Sequence, residues 1–487
     1  MDASHQNPRA LLAAIARQAM LDQGLLPDFS PAAQAQANAL IRPATDAGAR
    51  DLRGAEWVSI DNDDSLDLDQ LSVADSLGSN ATRLLVAIAD VDAAVSRGSP
   101  IDEHARQNTT SVYTAGGIFP MLPEKLSTNL TSLVQGEERL AMIVEMVIAT
   151  DGSITSSDIY RATVVNKAKL AYDSVASWLE RGTPAPPALE AAGLQSQVRL
   201  QDQVAQALGR VRLSQGALTL ETIQTSAVFD GQVLQDLVPE RKNRAHELIE
   251  NVMVAANGVA ARWLQARGLA SIRRVLPIPV HWDRIVALAA ERGETLPAVA
   301  DPVALNAFLA KCRKDRPEQF PDLSLSVIKL LGRGEYALEL PGQPVAGHFG
   351  LAVRDYMHST APNRRFPDVI TQRLVKSALS SAAAPYTTAE LLALASQCTE
   401  QEDHAAKAER RVGKSAAALL LQTRIGQTFP AIVTGAADKG TWARTTLPPV
   451  EGRIVRGFQG LKVGQAVRVR LLSTDVTRGF IDFACEG

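Results

Sequence analysis

Apolar residues recur along this chain with two different periods. The runs Leu-Leu-Val-Ala-Ile-Ala-Asp at 84–90 and Leu-Ala-Met-Ile-Val-Glu-Met-Val-Ile at 140–148 are short and rich in branched residues, and they predict strands of a sheet that begins near Trp57. Residues 244–264 instead space Leu248, Val252, Val259 and Trp263 along one face of a long helix, and the Ala/Leu-rich stretch 387–422 predicts another. Helical spacing also runs through residues 8–42, broken at Gly24 and Pro27, with Ser30 placed as an N-cap and Pro31 as a first helical residue. After Gly426, short alternating runs separated by Gly and Asp turns set the rhythm of a five-stranded barrel. The pattern therefore predicts an α+β protein in three parts. A small helical unit spans 1–55, either helix-turn-helix-like or a plain packing extension; a mixed α/β body spans 56–424; and an OB-like β-barrel spans 425–487.

Composition agrees with three parts, since 487 residues correspond to about three domains of ordinary size. Hydrophobic residues at 46% and charged residues at 21% exclude a disordered or fibrous chain. The formal charge is 50 − 53 = −3, so a polyanion has to be held by local basic surface. Such a surface is present in the barrel segment, where eight Lys/Arg against five Asp/Glu give 8 − 5 = +3 between Gly426 and Gly487. With Trp442 and Phe458 as stacking candidates, a basic small barrel suits single-stranded nucleic acid; the plainer alternative is a structural barrel with a solvated face. Cys312, Cys398 and Cys485 are far apart and show neither a disulfide framework nor zinc-ligand spacing. No stretch approaches the ~20 apolar residues of a membrane span, and the first residues lack a signal-type run, so the expected location is the cytoplasm. The histidines show no ligand spacing, and no glycine-rich loop has the setting of a nucleotide-coenzyme site.

The densest chemical signal is Ser59-Ile-Asp-Asn-Asp-Asp-Ser-Leu-Asp-Leu-Asp-Gln70, which places five aspartates between 61 and 69. Like charges at that density repel unless solvated or neutralised by cations, and clustered hard oxygens suit Mg²⁺ or Mn²⁺ working on phosphates. An exposed acidic turn is the bland alternative. A calcium loop of EF-hand type fails, because Leu66 stands where Gly is needed and Ser72 where a bidentate Glu is needed. Further along, Ala361-Pro-Asn-Arg-Arg-Phe-Pro-Asp368 puts Arg364 and Arg365 on a Pro-bounded turn, from which planar forks can reach phosphate oxygens.

Taken in order, several blocks resemble the ribonuclease II (RNB) family of 3′-to-5′ exoribonucleases. They are the Asp61…Asp67-Leu-Asp69 cluster, Ala87-Ile-Ala-Asp-Val91, Ser111-Val-Tyr113, Phe119-Pro-Met-Leu-Pro-Glu124, Leu248-Ile-Glu-Asn-Val-Met-Val-Ala-Ala-Asn257, His348-Phe-Gly-Leu-Ala352 and the arginine turn. The resemblance implies an RNB catalytic domain followed by an S1-like barrel, with RNA threading to a Mg²⁺ site and leaving as nucleoside 5′-monophosphates. It places Asp61, Asp67, Asp69 and Gln70 at the metal, and Asp69 and Arg364 at the chemistry. It places Tyr113, Glu409, Arg364 and Arg365 against RNA, with Phe229 as the one aromatic available to oppose Tyr113. Two departures stand out. The family motif normally ends in two adjacent aspartates where this chain has Asp69-Gln70, which predicts weaker metal binding. The segment before residue 56 is too short for the paired cold-shock barrels common in the family.

The expected activity is thus a metal-dependent, sequence-tolerant exoribonuclease acting as a monomer on single-stranded RNA. Two alternatives stand beside it: an RNA-binding relic that lost hydrolysis through Gln70, and a structural protein in which a metal merely folds the 61–69 loop.

Overall fold

The apolar run at 84–90 lies at the middle of a seven-stranded sheet. Strand Ala81–Ala89 pairs antiparallel with Gln70–Ser76 on one side and Glu138–Ala149 on the other. Residues 84–89 are all buried, which is why they read as an unbroken apolar run. The strand order is Arg50–Asp51, Ile154–Val165, Glu138–Ala149, Ala81–Ala89, Gln70–Ser76, Val58–Asp61, Ala168–Ala171, with only the two outermost pairings parallel. The structure, a computed structural model, describes residues 7–78, 80–223, 225–343, 345–437 and 439–486.

Helices Gln195–Ser214 and Arg244–Gln265 pack on this sheet through Val198, Val204 and Leu208 and through Leu248, Val252 and Val259. Each such side chain contributes about 1.5–3 kcal/mol by leaving water. The long helix Thr388–Leu421 opens with a capping box: the N–H of Glu390 donates to the Thr387 hydroxyl at 3.2 Å, and the N–H of Thr387 donates to the Glu390 carboxylate at 2.7 Å. Its first half gives Leu391, Leu394 and Cys398 to the main core, and its end gives Ala416, Leu420 and Leu421 to the barrel core.

Helix Pro31–Ala39 forms where the cap at Ser30 predicts, and helix Pro8–Asp22 within the stretch of helical spacing, capped by Asn7, but among the described residues they enclose no core of their own. Leu12 joins the barrel core; Ala16, Ala19 and Met20 pack with Val112, Ala405 and Val412; Ala33 and Ala37 join the main core. A separate core does exist where none was expected, in helices Trp282–Ala290, Pro302–Asp315 and Phe320–Leu331, around Ile285, Leu309 and Val327. Their Ala/Leu spacing matches that of the neighbouring helices, so the sequence gives no boundary. Asp322 of this unit pairs with Arg444 of the barrel at 2.8 Å.

The barrel is closed, in the order Thr428–Ala437, Gly440–Thr445, Glu451–Arg456, Phe480–Cys485, Ala466–Asp475. Pairing of the first strand with the fourth in sequence, Ala466–Asp475, completes the cylinder and removes free edges. Gly479, at φ +67°, lies so near the long helix that a Cβ there would sit 2.7 Å from Lys414 Cβ, so both the turn and the approach require glycine. Among the described residues no helix is long and apolar enough to cross a membrane, and all three cysteines are free.

Candidate active site

Strand Val58–Asp61 ends and strand Gln70–Ser76 begins at the same end of the sheet, so the acidic segment is the loop between them. Asp61 accepts from the Ser65 hydroxyl at 2.9 Å and from the N–H of Asn62 at 2.7 Å, while Asp63 and Asp64 are exposed. Asp69 is drawn inside because the chain on either side of it is pinned: Leu68 N–H donates to the Ser132 hydroxyl at 3.0 Å, and Ala89 N–H to the Asp69 carbonyl at 2.9 Å. The residue is 5% exposed.

Facing it is the arginine turn. The N–H of Asn363 donates to Asp69 Oδ1 at 2.8 Å and Arg364 Nε to Oδ2 at 3.3 Å. The Asn363 side chain is held in turn by the Thr131 hydroxyl at 2.6 Å. Arg365, expected beside RNA, is committed elsewhere: its Nε and NH2 donate to Asp368 at 2.9 and 2.8 Å, and Asp368 also accepts from Ala361 N–H at 2.8 Å. The Arg364 side chain is 50% exposed and that of Arg365 23%, so Arg364 presents the larger free face.

Helix Phe366–Leu379 fixes this turn to the sheet. Gln372 Nε2 donates to the Ala89 carbonyl at 2.6 Å, Lys376 reaches Asp90 and Asp92 at 3.0 and 2.9 Å, and Arg373 reaches Asp92 and Asp102, both at 2.7 Å. A further link runs to the hairpin formed by Val112–Thr114 and Gly117–Phe119: Ser111 N–H donates to the Arg364 carbonyl at 3.0 Å, and Phe366 N–H to the Thr109 carbonyl at 2.8 Å. The hairpin carries Tyr113, 40% exposed, whose hydroxyl donates to Asp67 Oδ2 at 2.8 Å and whose N–H donates to Glu409 Oε1 at 3.0 Å. Burial pushes the Glu409 carboxyl above its ordinary value, against the lowering by that N–H.

Contacts thus join Asp67, Asp69, Arg364, Tyr113 and Glu409. Gln70 sits differently: its Nε2 donates to the Ile60 carbonyl at 3.2 Å, and its Oε1 is buried without a partner among the described residues. Phe229 lies on the hairpin Thr225–Asp230/Val233–Pro239, where the Arg9 guanidinium stands 5.2 Å from its ring centre. One residue that sequence reasoning missed is Tyr172, whose phenol is pushed well above its ordinary value by burial and then by the charge of Asp61. Its ring stacks on His246 at 3.9 Å. Only the register Asp61↔Ala171 places Tyr172 there, and that register is invisible before the strands are paired.

Among the described residues no three Asp, Glu, His or Cys side chains converge into a closed metal cage. The donors on offer are nevertheless hard oxygens: the carboxylates of Asp61, Asp67 and Asp69 and the orphaned Gln70 Oε1. In kind they fit an ion that takes one or two carboxylates and completes its shell with water and substrate phosphate.

Burial lifts the Asp69 carboxyl from 3.8 to about 7, with Arg364 and the Asn363 N–H pulling the other way. The folded protein therefore binds a proton here more tightly than the unfolded chain does. Stability from this group is full below pH ~4 and is lost as pH rises through about 7. In metal-free protein, Asp69→Asn should accordingly gain stability over the natural chain at pH 8, and the gap should close toward pH 4. Urea unfolding in EDTA at several pH values checks this, and a gap that does not vary with pH would refute it.

Fold and site together define a class: an α+β body fitted with an OB-type barrel, with an acid and an arginine meeting at one end of its sheet. Residues 49–381 match the RNB domain, and residues 427–486 match the RNase II-type exonuclease C-terminal S1 domain. The chain belongs to the RNB family. It is 29% identical to Ribonuclease R of Thermotoga maritima over 92% of this chain and 67% of that protein. It is also 29% identical to Ribonuclease R of Escherichia coli, over 82% of this chain and 50% of that one. The chain spans half to two thirds of the length of these two curated relatives. The same fold occurs in Mycoplasma genitalium RNase R in complex with ribose methylated single-stranded RNA, with a TM-score of 0.87 at 24% identity over 99% of this chain and 78% of that one.

Proposed function

We propose that this protein is a Mg²⁺-dependent 3′-to-5′ exoribonuclease that shortens single-stranded RNA to nucleoside 5′-monophosphates. The observation that carries the reading is the meeting of buried Asp69 with the Asn363–Arg364 turn, next to the exposed ring of Tyr113. Membership of the family and relatives named Ribonuclease R support RNA as the substrate and the 3′ end as the starting point.

The residues divide the work by position. Arg364, fixed at Nε by Asp69, keeps the rest of its fork for a phosphate, where it offsets the charge that develops as water adds to phosphorus and the bond to O3′ breaks. Tyr113 offers a face for a terminal base, and Glu409 holds the backbone that carries it. Asp67 and Asp69 orient the attacking water and, with Asp61 and Gln70, supply oxygens for the ion. Bound Mg²⁺ contributes Lewis acidity and a more acidic water. Arg365 keeps the turn in shape through Asp368.

Gln70 adds no charge to the donor set, so Gln70→Asp should lower the Mg²⁺ concentration giving half-maximal activity by about tenfold, no less than a group one shell further from a metal is commonly worth. A Mg²⁺ titration of the initial rate decides this, and an unchanged midpoint removes Gln70 from the metal's surroundings.

The reading itself is tested by a time course on 5′-labelled single-stranded RNA with and without Mg²⁺, resolved to single nucleotides. Stepwise shortening to a small remnant, only with the ion, supports it. Bound but full-length RNA in every lane would favour the second reading, an RNA-binding protein without hydrolysis, for which Gln70 is the motivating observation.

A further inference from the structure

A second cleft lies at the opposite end of the sheet from Asp69. Strand Gln70–Ser76 starts at the acidic loop and runs away from it, and its far end leads across Thr82 and Ile148 to the 149–154 turn, where Gly152 and Ile154 line the cleft. A strand of that length separates the two sites by roughly 20 Å. The cleft holds ≈ 1130 Å³, at or just above the ordinary size of a small-molecule site.

Its floor is apolar, from Val211, Val254, Leu276 and Phe349, yet three guanidinium groups line it: Arg212, Arg262 and Arg354. The one acidic side chain in the lining is Asp355. Behind the wall, Glu250 stands 3.5 Å from Arg212 but is shared with Lys242 at 2.9 Å; His348, in the lining itself, is held neutral because burial lowers it to about 4. Arg212 donates to Asn251 at 2.7 Å, whereas its Nε is buried and has no acceptor among the described residues. Arg262 and Arg354 are both exposed. Gly258 gives Arg262 room to fold back across the helix, since a Cβ there would meet its NH1 at 3.2 Å.

We infer that this cleft binds a nucleoside 5′-monophosphate, its phosphate held by Arg212, Arg262 and Arg354 and its base laid on the apolar floor beside Phe349. A bare phosphate would use the arginines and leave the floor wet. A purely apolar molecule would leave the exposed guanidinium groups of Arg262 and Arg354 without an anion. The ligand the lining satisfies is a dianion carried on a flat, largely apolar body. The inference is independent of the proposed hydrolysis, because neither Asp69 nor Tyr113 takes part.

Titration calorimetry of the full chain with AMP and UMP tests it, with inorganic phosphate and adenosine as separate arms. One nucleotide should bind per chain, more tightly than either fragment. Arg354→Ala and Arg262→Ala, changes on exposed side chains, should each weaken binding about tenfold, the usual worth of a charged hydrogen bond. Tyr113→Ala should leave it unchanged. The inference is overturned by no heat at millimolar nucleotide, by binding lost in Tyr113→Ala but kept in Arg354→Ala, which assigns it to the other site, or by phosphate binding as well as AMP. If the arginine variants weaken only a single-stranded oligonucleotide and not AMP, the cleft is an RNA groove and the mononucleotide assignment falls.

Discussion

Asp69→Asn should lower the single-turnover rate on single-stranded RNA by about 10³-fold while leaving RNA affinity within a few-fold. One preorganised charged group in a dry site commonly supplies 10²–10³ in rate, and a group that also orients or deprotonates water reaches about 10⁴. Asparagine keeps the shape and can still accept the Asn363 N–H, so the turn stays in place and only the charge disappears. That charge fixes Arg364 Nε, and Arg364→Ala should therefore fall in the same direction by about 10²–10³, through the chemical step and not through binding. Since the metal-free Asn variant is expected to be more stable at pH 8, lost activity cannot be blamed on unfolding. A single-turnover rate within tenfold of the natural protein would take Asp69 out of the chemistry.

The largest effect on stability is expected at Arg373. Its side chain is 4% exposed and donates to Asp92, Asp102, the Tyr386 hydroxyl and the Val95 carbonyl. Removing it by Arg373→Met leaves Asp92 with Lys376, but leaves Asp102, itself 5% exposed, with the N–H of Gly98 as the remaining donor to its carboxylate among the described residues. Breaking a buried pair in this way costs about 3–5 kcal/mol, mostly the cost of the stranded carboxylate. Adding Asp102→Asn to Arg373→Met should thus recover at least half of the loss, although one more polar contact has been altered. Denaturant midpoints for the two variants decide the matter. If the double variant is the less stable, the ion pair is a net source of stability and the argument from a stranded charge is wrong.

Much of this architecture was legible in the residues. Residues 84–89 announced themselves because burial on both faces leaves no polar positions there, and the helix 388–421 because of its Ala/Leu-rich spacing. The barrel was legible from its turns. The acidic loop and the arginine turn were legible as chemistry, but not as partners: the atom that joins them most closely is the backbone N–H of Asn363, which no side-chain pattern reports. Arg364 and Arg365 looked alike because adjacent residues on a turn point in different directions that the sequence does not specify. A signal was nevertheless present, since Asp368 three residues beyond Arg365 is the spacing of a local ion pair. The separate core at 282–331, and the sharing of Leu12 with the barrel, depend on contacts between distant segments, which leave no periodic trace.

The two backbone hydrogen bonds that join 109–111 to 364–366 bear on how far a strand would advance in each cycle. They put the ring that would grip a base and the guanidinium that would grip a phosphate on one rigid piece, so the distance between the two grips is a property of the main chain. On the proposed reading this piece works as a ruler. Its graduation does not depend on which base is held, because neither bond involves a side chain that meets the base, and each cut therefore removes the same length of strand from RNA of any composition.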